Sequence, residues 1–265
     1  MIDSSRGVLF PSRLPSFTRL PPPPEVAHLV VWFWIPEWNL PPGVISRQDL
    51  VAYPALNLVV EPDQVTLSGA TTRASYRELS GEGWAVGALL RPAAVAAFVE
   101  SPADIVGTMR TVDAADVLSA VSAAMVPESP ASARHAAAVS AVASWLAARA
   151  GSASAADLHA NALTDVFMGD HPARSVAEAA ARLAVSERTL QRIAHRYVGM
   201  TPAAMIRRRR LQEAAERMRE HPDGDLATLA TELGYADHAH LTRDFRVVLG
   251  ITPTGYRETA TRASE

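Results

Sequence analysis

The sequence predicts an α+β protein, with a β-rich N-terminal half and an all-α C-terminal half. Residues 28–90 contain short runs rich in Val, Trp, Leu and Tyr that are separated by turn residues, which is typical of strands. From Asp113 onward, alanine and apolar residues recur at three- and four-residue spacing, which is typical of helices. The C-terminal third contains one sequence pattern twice, which predicts two copies of a helical unit.

The N-terminal half begins with an arm over residues 1–24, because its run Pro21–Pro24 favours polyproline II and cannot donate ladder hydrogen bonds. Residues 25–110 predict a β-rich, barrel-like domain. Its strands are expected near residues 29–35, 56–60, 64–68 and 84–90. Pro92 then suits the first turn of a helix that reaches about Glu100.

The helical part divides into a connector and a larger domain. Residues 111–153 predict a connector of two helices, the second ending near Gly151, with a hinge at residues 150–154. A third helix, from Ala155 to Phe167, begins a C-terminal domain over residues 154–258, and residues 259–265 form a tail.

The repeat in the C-terminal domain has a constant offset over most of its length. Five residues recur 51 positions later: Leu190, Arg192, Gly199, Thr201 and Pro202 match Leu241, Arg243, Gly250, Thr252 and Pro253. Upstream the offset is 50, as in Leu183 and Leu233. The change by one residue predicts a slightly longer turn in the second copy.

Each copy predicts a short helix, a tight turn and a second helix. Ser186 and Asp237 are the expected N-caps of the second helices, 187–197 and 238–248. Pro202 opens a long joining helix that reaches about Glu220. This is the helix-turn-helix pattern, in which the second helix enters the major groove of DNA.

The outward side chains of these second helices are suited to reading base edges. Arginine can bridge the two acceptors of guanine, glutamine can pair with adenine, and threonine can contact either a polar edge or the thymine methyl group. The candidate DNA-binding residues are Arg188, Thr189, Gln191 and Arg192 in the first copy and His238, Thr242 and Arg243 in the second. The competing roles are solvated helix surface, or salt bridges to Glu187 and Asp244.

Residues 155–258 resemble the DNA-binding domain of AraC/XylS-type transcription regulators, which has two helix-turn-helix units joined by a long helix. The matching segments are Ser186-x-Arg188-Thr189-Leu190-x-Arg192, Val198-Gly199-Met200-Thr201-Pro202, Arg210-Leu211-x-x-Ala214, Leu233-Gly234-Tyr235, His240-Leu241-x-Arg243-x-Phe245 and Gly250-Ile251-Thr252-Pro253-x-x-Tyr256-Arg257. The resemblance implies base and phosphate contacts from Arg188, Gln191 and Arg192, and from His238, Thr242 and Arg243.

The chain departs from this family at Ala194, where a phenylalanine equivalent to Phe245 is usual. The smaller side chain predicts looser packing of the first recognition helix, or compensation by Tyr197 or Met200. The run Arg207–Arg210 suggests a nucleic-acid patch, but four successive helical residues spread around most of a turn. Most of this run is therefore expected to be solvated or structural.

The composition excludes several classes of protein. The chain has no cysteine, so disulfides, thiolate metal sites and cysteine nucleophiles are absent. We find no signal peptide and no apolar run of membrane-spanning length, so a soluble, cytoplasmic protein without membrane association is expected. No histidine lies between His28 and His135, and His238 and His240 lack a nearby third ligand. We therefore expect no metal site, no cofactor and no catalytic residues.

The N-terminal domain is interpreted as a sensor of a small organic effector or as a dimerisation module. Trp32 and Trp34 alternate along one strand and would share a face. They form either core or, with Trp38, Tyr53 and Asn57, the wall of an effector pocket. The expected partners are double-stranded DNA, the effector, RNA polymerase if the protein activates transcription, and a second copy in a homodimer. An enzyme with a DNA-binding tail and an effector-free DNA-binding protein are the alternatives.

Overall fold

The computed structural model describes Leu9 and residues 16–262. Most of the predicted arm and the end of the predicted tail lie outside these residues. The strands are β1 (Ser16–Leu20), β2 (Val30–Asn39), β3 (Ile45–Leu50), β4 (Asn57–Glu61), β5 (Gln64–Ser68), β6 (Ser75–Ser80), β7 (Glu82–Trp84), β8 (Val86–Leu90) and β9 (Met109–Thr111). Residues 16–20, which the sequence places in the arm, are therefore a strand.

Seven strands form one antiparallel sheet in the order β1-β2-β8-β4-β5-β9, with β7 pairing with the end of β2. The remaining two, β3 and β6, form a separate two-stranded sheet. The main sheet is open, because its edge strands β1 and β9 do not pair with each other. The described residues thus contain a β-rich domain without a closed barrel.

Helices occupy most of the chain after β9. They are α1 (Ala115–Ala124), α2 (Ala131–Ala150), α3 (Ala155–Ala160), α4 (Ala162–Met168), α5 (Val176–Arg182), α6 (Glu187–Val198), α7 (Pro202–Glu220), α8 (Leu226–Glu232), α9 (His238–Leu249) and α10 (Pro253–Arg262). Gly151 ends α2 with a positive φ of 60°, as expected of a C-terminal glycine. After β8 the chain forms a 3-10 turn over Pro92–Ala97 instead of a helix reaching Glu100.

The main sheet is buried on both faces. Phe33 and Ile35 of β2 belong to a core that also contains Val121 of α1 and Val142 and Leu146 of α2. Trp32 of β2 and Leu89 of β8 belong instead to a core that contains residues of the C-terminal helices. Strands covered on both faces read as continuous apolar runs, and β8 (VGALL) is buried at every position. The sheet therefore lies between a helical hairpin and the C-terminal domain.

The third predicted helix is divided in two by Asn161, whose side chain binds the N-terminal domain. Its Nδ2 donates to the carbonyl of His28 at 2.8 Å, and its Oδ1 accepts from the backbone N–H of Ala93 at 2.9 Å. These bonds join the start of the C-terminal domain to one end of the antiparallel β2–β8 pair, where Val30 lies opposite Leu90. The break between α3 and α4 is thus a point of attachment.

The carboxylate of Glu37 in β2 binds two side chains of α2 and so attaches this helix to the sheet. It accepts a hydrogen bond of 2.5 Å from Arg134 and lies 2.7 Å from Nε2 of the buried His135. Burial raises the pKa of Glu37, but the hydrogen bonds and charges of Arg134 and His135 outweigh burial and hold this pKa below its usual 4.5. The ionised carboxylate therefore stabilises the fold above the pKa of the unfolded chain.

We expect the free energy of unfolding to fall as the pH decreases from about 5 through the lowered pKa of Glu37, because the folded state then loses its ionised partner. Urea unfolding between pH 3 and pH 6 measures this. Glu37→Gln should flatten the dependence, whereas Glu78→Gln, at an exposed position of β6, should leave it unchanged. Equal slopes for the wild type and Glu37→Gln would contradict the assignment.

Candidate nucleic-acid interface

The C-terminal domain contains two helix-turn-helix units built in the same way, α5–α6 and α8–α9. Each second helix has the predicted N-cap: Ser186 accepts from the N–H of Thr189 at 3.2 Å, and Asp237 accepts from that of His240 at 2.7 Å. Gly199 and Gly250 end these helices, both with a φ of +76°. The caps at both ends define α6 and α9 as matched recognition helices.

The turns of the two units differ by one residue, as the change of offset predicts. Residues 183–186 join α5 to α6, and residues 233–237 join α8 to α9. Ala184 in the first turn and Gly234 in the second both have a positive φ, 52° and 76°. Glycine accepts this left-handed conformation freely, whereas alanine is strained there by about 1–2 kcal/mol.

The outer face of α6 carries the candidate residues of the first copy. Arg188, Gln191 and Arg192 are exposed, and so is His195 one turn further along. Thr189 is half-buried, and its hydroxyl accepts a hydrogen bond of 3.0 Å from the Ser186 hydroxyl. The structure therefore brings three long polar side chains together on α6 and engages Thr189 in the cap.

The outer face of α9 carries fewer long polar side chains than the outer face of α6. His238 and Arg243 are exposed, while Thr242 is half-buried with its hydroxyl 3.2 Å from Nε2 of His238. Arg246 is exposed and lies four positions after Thr242, on the same face. This spacing alone could have added Arg246 to the predicted set.

Four arginines on the two helices carry charges without a partner of their own. Within Leu9 and residues 16–262, no salt bridge involves Arg188, Arg192, Arg243 or Arg246. Asp244, expected as a competing partner, instead pairs with Arg207 at 2.6 Å. Unpaired, exposed guanidinium groups are available for phosphate oxygens or guanine edges.

The cores of the two units are completed differently. In α9 the Phe245 ring is fully buried and packs against Tyr256, with 5.7 Å between ring centroids. In α6 Ala194 is also fully buried, and Tyr197 and Met200 are buried beside it. The Tyr197 hydroxyl donates to Asp157 of α3 at 2.8 Å. Compensation, the second of the two expected outcomes, is therefore what α6 shows.

Of the five residues predicted to line an effector pocket, Trp32 and Tyr53 lie in one core, Trp34 packs against that core beside Asn57, and Trp38 lies apart. Trp32 and Tyr53 pack edge to face, 4.8 Å apart, in the core shared with Leu163 and Phe167 of α4. The indole of Trp34 donates to Asn57 at 3.2 Å, and that of Trp38 donates to the carbonyl of Ser80. None of the five lines the small apolar gap of about 10 Å³ between Leu56, Val95, Leu163 and Val198.

Outside the recognition helices, the described residues include a cleft lined by charged side chains of α5 and α7. No group of three or more His, Cys, Asp or Glu side chains among them is placed to hold a metal ion. No helix among them is long and apolar enough to span a membrane.

Two family descriptions match separate parts of the chain. Residues 179–259 match the family described as "Helix-turn-helix domain", which spans both units. Residues 18–108 match a "Domain of unknown function", DUF6597, which spans the strands of the main sheet before β9.

A putative AraC-like transcription regulator of Streptomyces antibioticus is 37% identical over 120 residues, which is 44% of this chain and 37% of the relative. The transcriptional activator RhaS of Escherichia fergusonii is 36% identical over 94 residues, 35% of this chain and 34% of the relative. The chain therefore spans about a third of the length of these curated relatives.

Two crystal structures of ToxT from Vibrio cholerae are also similar, with TM-scores of 0.44 and 0.43 and identities of 10% and 12%. The match covers 85% and 92% of this chain, and 97% of ToxT in each case. On the match of residues 179–259 and the two curated relatives, the C-terminal domain is a helix-turn-helix domain similar to that of AraC-like transcription regulators.

Proposed function

We propose that this protein is a sequence-specific DNA-binding transcription regulator whose helices α6 and α9 enter successive major grooves. One observation carries the proposal: both helices have the same caps, and their equivalent arginines, Arg192 and Arg243, are exposed without a salt bridge among the described residues. Two recognition helices in one chain imply half-sites about 10 bp apart. The proposal includes no enzymatic activity.

The experiment that tests it uses the full chain and a pool of random 40-bp duplexes. Duplexes retained by the protein are sequenced and then titrated by fluorescence anisotropy at several salt concentrations. We expect one enriched motif with two half-sites, and an affinity that falls steeply with salt because counterions are released from the phosphates. Retention of duplexes without any enriched motif would show non-specific DNA binding and contradict the proposal.

The first helix should supply more of the base specificity than the second, because α6 presents Arg188, Gln191 and Arg192 while α9 presents fewer long polar groups. We expect Gln191→Ala to relax base preference in one half-site, with a loss of about 1–3 kcal/mol of discrimination. Thr242→Ala should change the selected motif less, since Thr242 is half-buried.

Repeating the selection with both variants measures this difference. Arg149→Ala, an exposed change on α2, is the control and should select the wild-type motif. A larger change of motif for Thr242→Ala than for Gln191→Ala would reverse the assignment.

We further propose that a small organic effector controls DNA binding through the N-terminal domain. The support is that the main sheet shares its core with α4 and α6, so a ligand that moves the sheet reaches the first recognition helix. Thermal unfolding of the full chain against a panel of metabolites tests this. A rise in melting temperature that also changes DNA affinity supports control, whereas no response identifies an effector-free DNA-binding protein.

A further inference from the structure

The run Arg207–Arg210 lies where two separate hydrophobic cores meet on α7. Met205 and Ile206, just before the run, belong to the core of the first unit, which includes Leu190 of α6. Leu211 and Ala214, just after it, belong to the core of the second unit, which includes Phe245 of α9. Because the two cores share no residue, the two units are joined through α7 and the contacts made from it and not through a common apolar core.

Three arginines of the run point in different directions from one turn of helix. Arg207 pairs with Asp244 of α9 at 2.6 Å. Arg210 donates at 2.5 Å to the carbonyl of Arg174, which lies just before α5. Arg208 reaches the N-terminal domain. The run therefore joins both units and the N-terminal domain at a single point of α7.

Arg208 is the more deeply buried of the two buried arginines of the run, with 2% of its surface exposed against 4% for Arg209. Its guanidinium donates to the carbonyls of Ala52 and Arg73 and, at 2.7 Å, to the hydroxyl of Thr71. One turn later, Gln212 donates at 2.7 Å to the carbonyl of Val51. Two loops of the N-terminal domain, residues 51–52 and 71–73, therefore bind α7 at the point between the two cores.

The burial of Arg208 makes the loss of these hydrogen bonds costly. Burial lowers the pKa of Arg208 to about 10, so the group remains charged at neutral pH. No salt bridge among the described residues neutralises it, and its charge is satisfied by neutral oxygens alone. A buried charge is costly unless its hydrogen bonds are made. The folded chain therefore holds both loops on α7 together.

The same N-terminal domain also touches each unit away from Arg208. The backbone N–H of Ala74 donates to the carbonyl of Val248 in α9 at 2.5 Å. At the end of α6, a Cβ added to Gly199 would lie 2.7 Å from the backbone nitrogen of Ala103. The N-terminal domain is therefore in contact with both recognition helices as well as with the helix between them.

We propose that Arg208 is a positioning residue for DNA recognition: through it, the N-terminal domain sets the separation of the two recognition helices, and so the half-site spacing that the protein accepts. This rests on the proposed function. One base pair added between half-sites moves the second by about 3.4 Å and rotates it by about 35°. A rigidly held pair of helices cannot follow that change, whereas a loosely held pair can.

The test uses the duplex selected by the wild-type chain and versions with one or two base pairs inserted or removed between its half-sites. Affinities are measured by fluorescence anisotropy for the wild type, Arg208→Met and a double variant, Thr71→Val with Gln212→Leu. The double variant keeps the Arg208 guanidinium but removes the hydrogen bonds of Thr71 and Gln212 between α7 and the loops. It therefore tests the proposal even if Arg208→Met does not fold. Arg149→Met is the matched control.

We expect the wild type to lose about tenfold or more in affinity for a one-base-pair change of spacing, and the variants to lose less than about threefold. Arg149→Met should behave as the wild type. Unchanged spacing preference in every folded variant would overturn the role of Arg208, while DNA binding itself remained. A wild type that binds no duplex specifically would instead overturn the proposed function.

Discussion

Replacing Arg192 and Arg243 together with alanine is expected to remove most of the specific DNA affinity of this protein. Each arginine is exposed, unpaired by any salt bridge among the described residues, and placed at the equivalent position of its recognition helix. Loss of one arginine that reads a base costs about 1–3 kcal/mol. The two lie on separate helices with separate cores, so the effects should add to about 2–6 kcal/mol.

Anisotropy titration of both single variants and the double variant against the selected duplex, at one fixed salt concentration, measures this loss. Arg149→Ala is the control and should bind as the wild type does. The salt dependence separates the two kinds of contact, because an arginine that binds phosphate lowers the salt slope by about 1 when removed. Wild-type affinity in the double variant would exclude both residues from the interface.

Phe245→Ala is expected to be the most destabilising single change in the second unit. The ring is fully buried, packs against Tyr256 and fills the centre of the core between α7, α8 and α9. Removal of a buried phenylalanine ring costs about 3–5 kcal/mol through lost burial and the remaining cavity. Urea unfolding followed by circular dichroism measures this.

The exposed neighbour Val247, with 52% of its surface accessible, supplies the control. Val247→Ala should change stability by less than about 0.5 kcal/mol. The reverse change in the first unit, Ala194→Phe, should also destabilise, by about 1–3 kcal/mol, because Ala194 is already fully enclosed. Stabilisation by Ala194→Phe would show that the first core has unused space.

The C-terminal helices could be predicted closely because their signals are local. Ser186 and Asp237 act as caps, and α7 runs from Pro202 to Glu220 as expected. The strands β3 and β6 could not be predicted, since their sequences, ISRQDL and SYRELS, are polar and lack the apolar runs that mark β2 and β8. Non-local pairing leaves little trace in short windows of sequence.

In the candidate site, too, local features could be predicted and contacts between distant segments could not. The exposed side chains of α6 and α9 follow from helical periodicity, whereas the partner of Asp244 and the acceptors around Arg208 depend on how distant segments meet. The sequence could assign a structural role to the arginine run, but nothing in it identified the loops that the run would bind. The contacts of Trp32 with Tyr53 and of Trp34 with Asn57 likewise join segments far apart in sequence, and the effector pocket itself stays a prediction.

The core that α6 shares with the main sheet determines whether the C-terminal domain can be transferred to another protein. The core of the first unit includes Trp32, Tyr53 and Leu89 from the N-terminal domain, whereas that of the second includes Leu9 and Val51, with Ala74 packed against it. A chimera that joins residues 154–262 to a foreign partner would leave both units with incomplete interiors and Arg208 without its acceptors. Transfer of this DNA specificity to another protein therefore requires both halves of the chain, or redesign of the faces of α4 and α6 that pack against the main sheet.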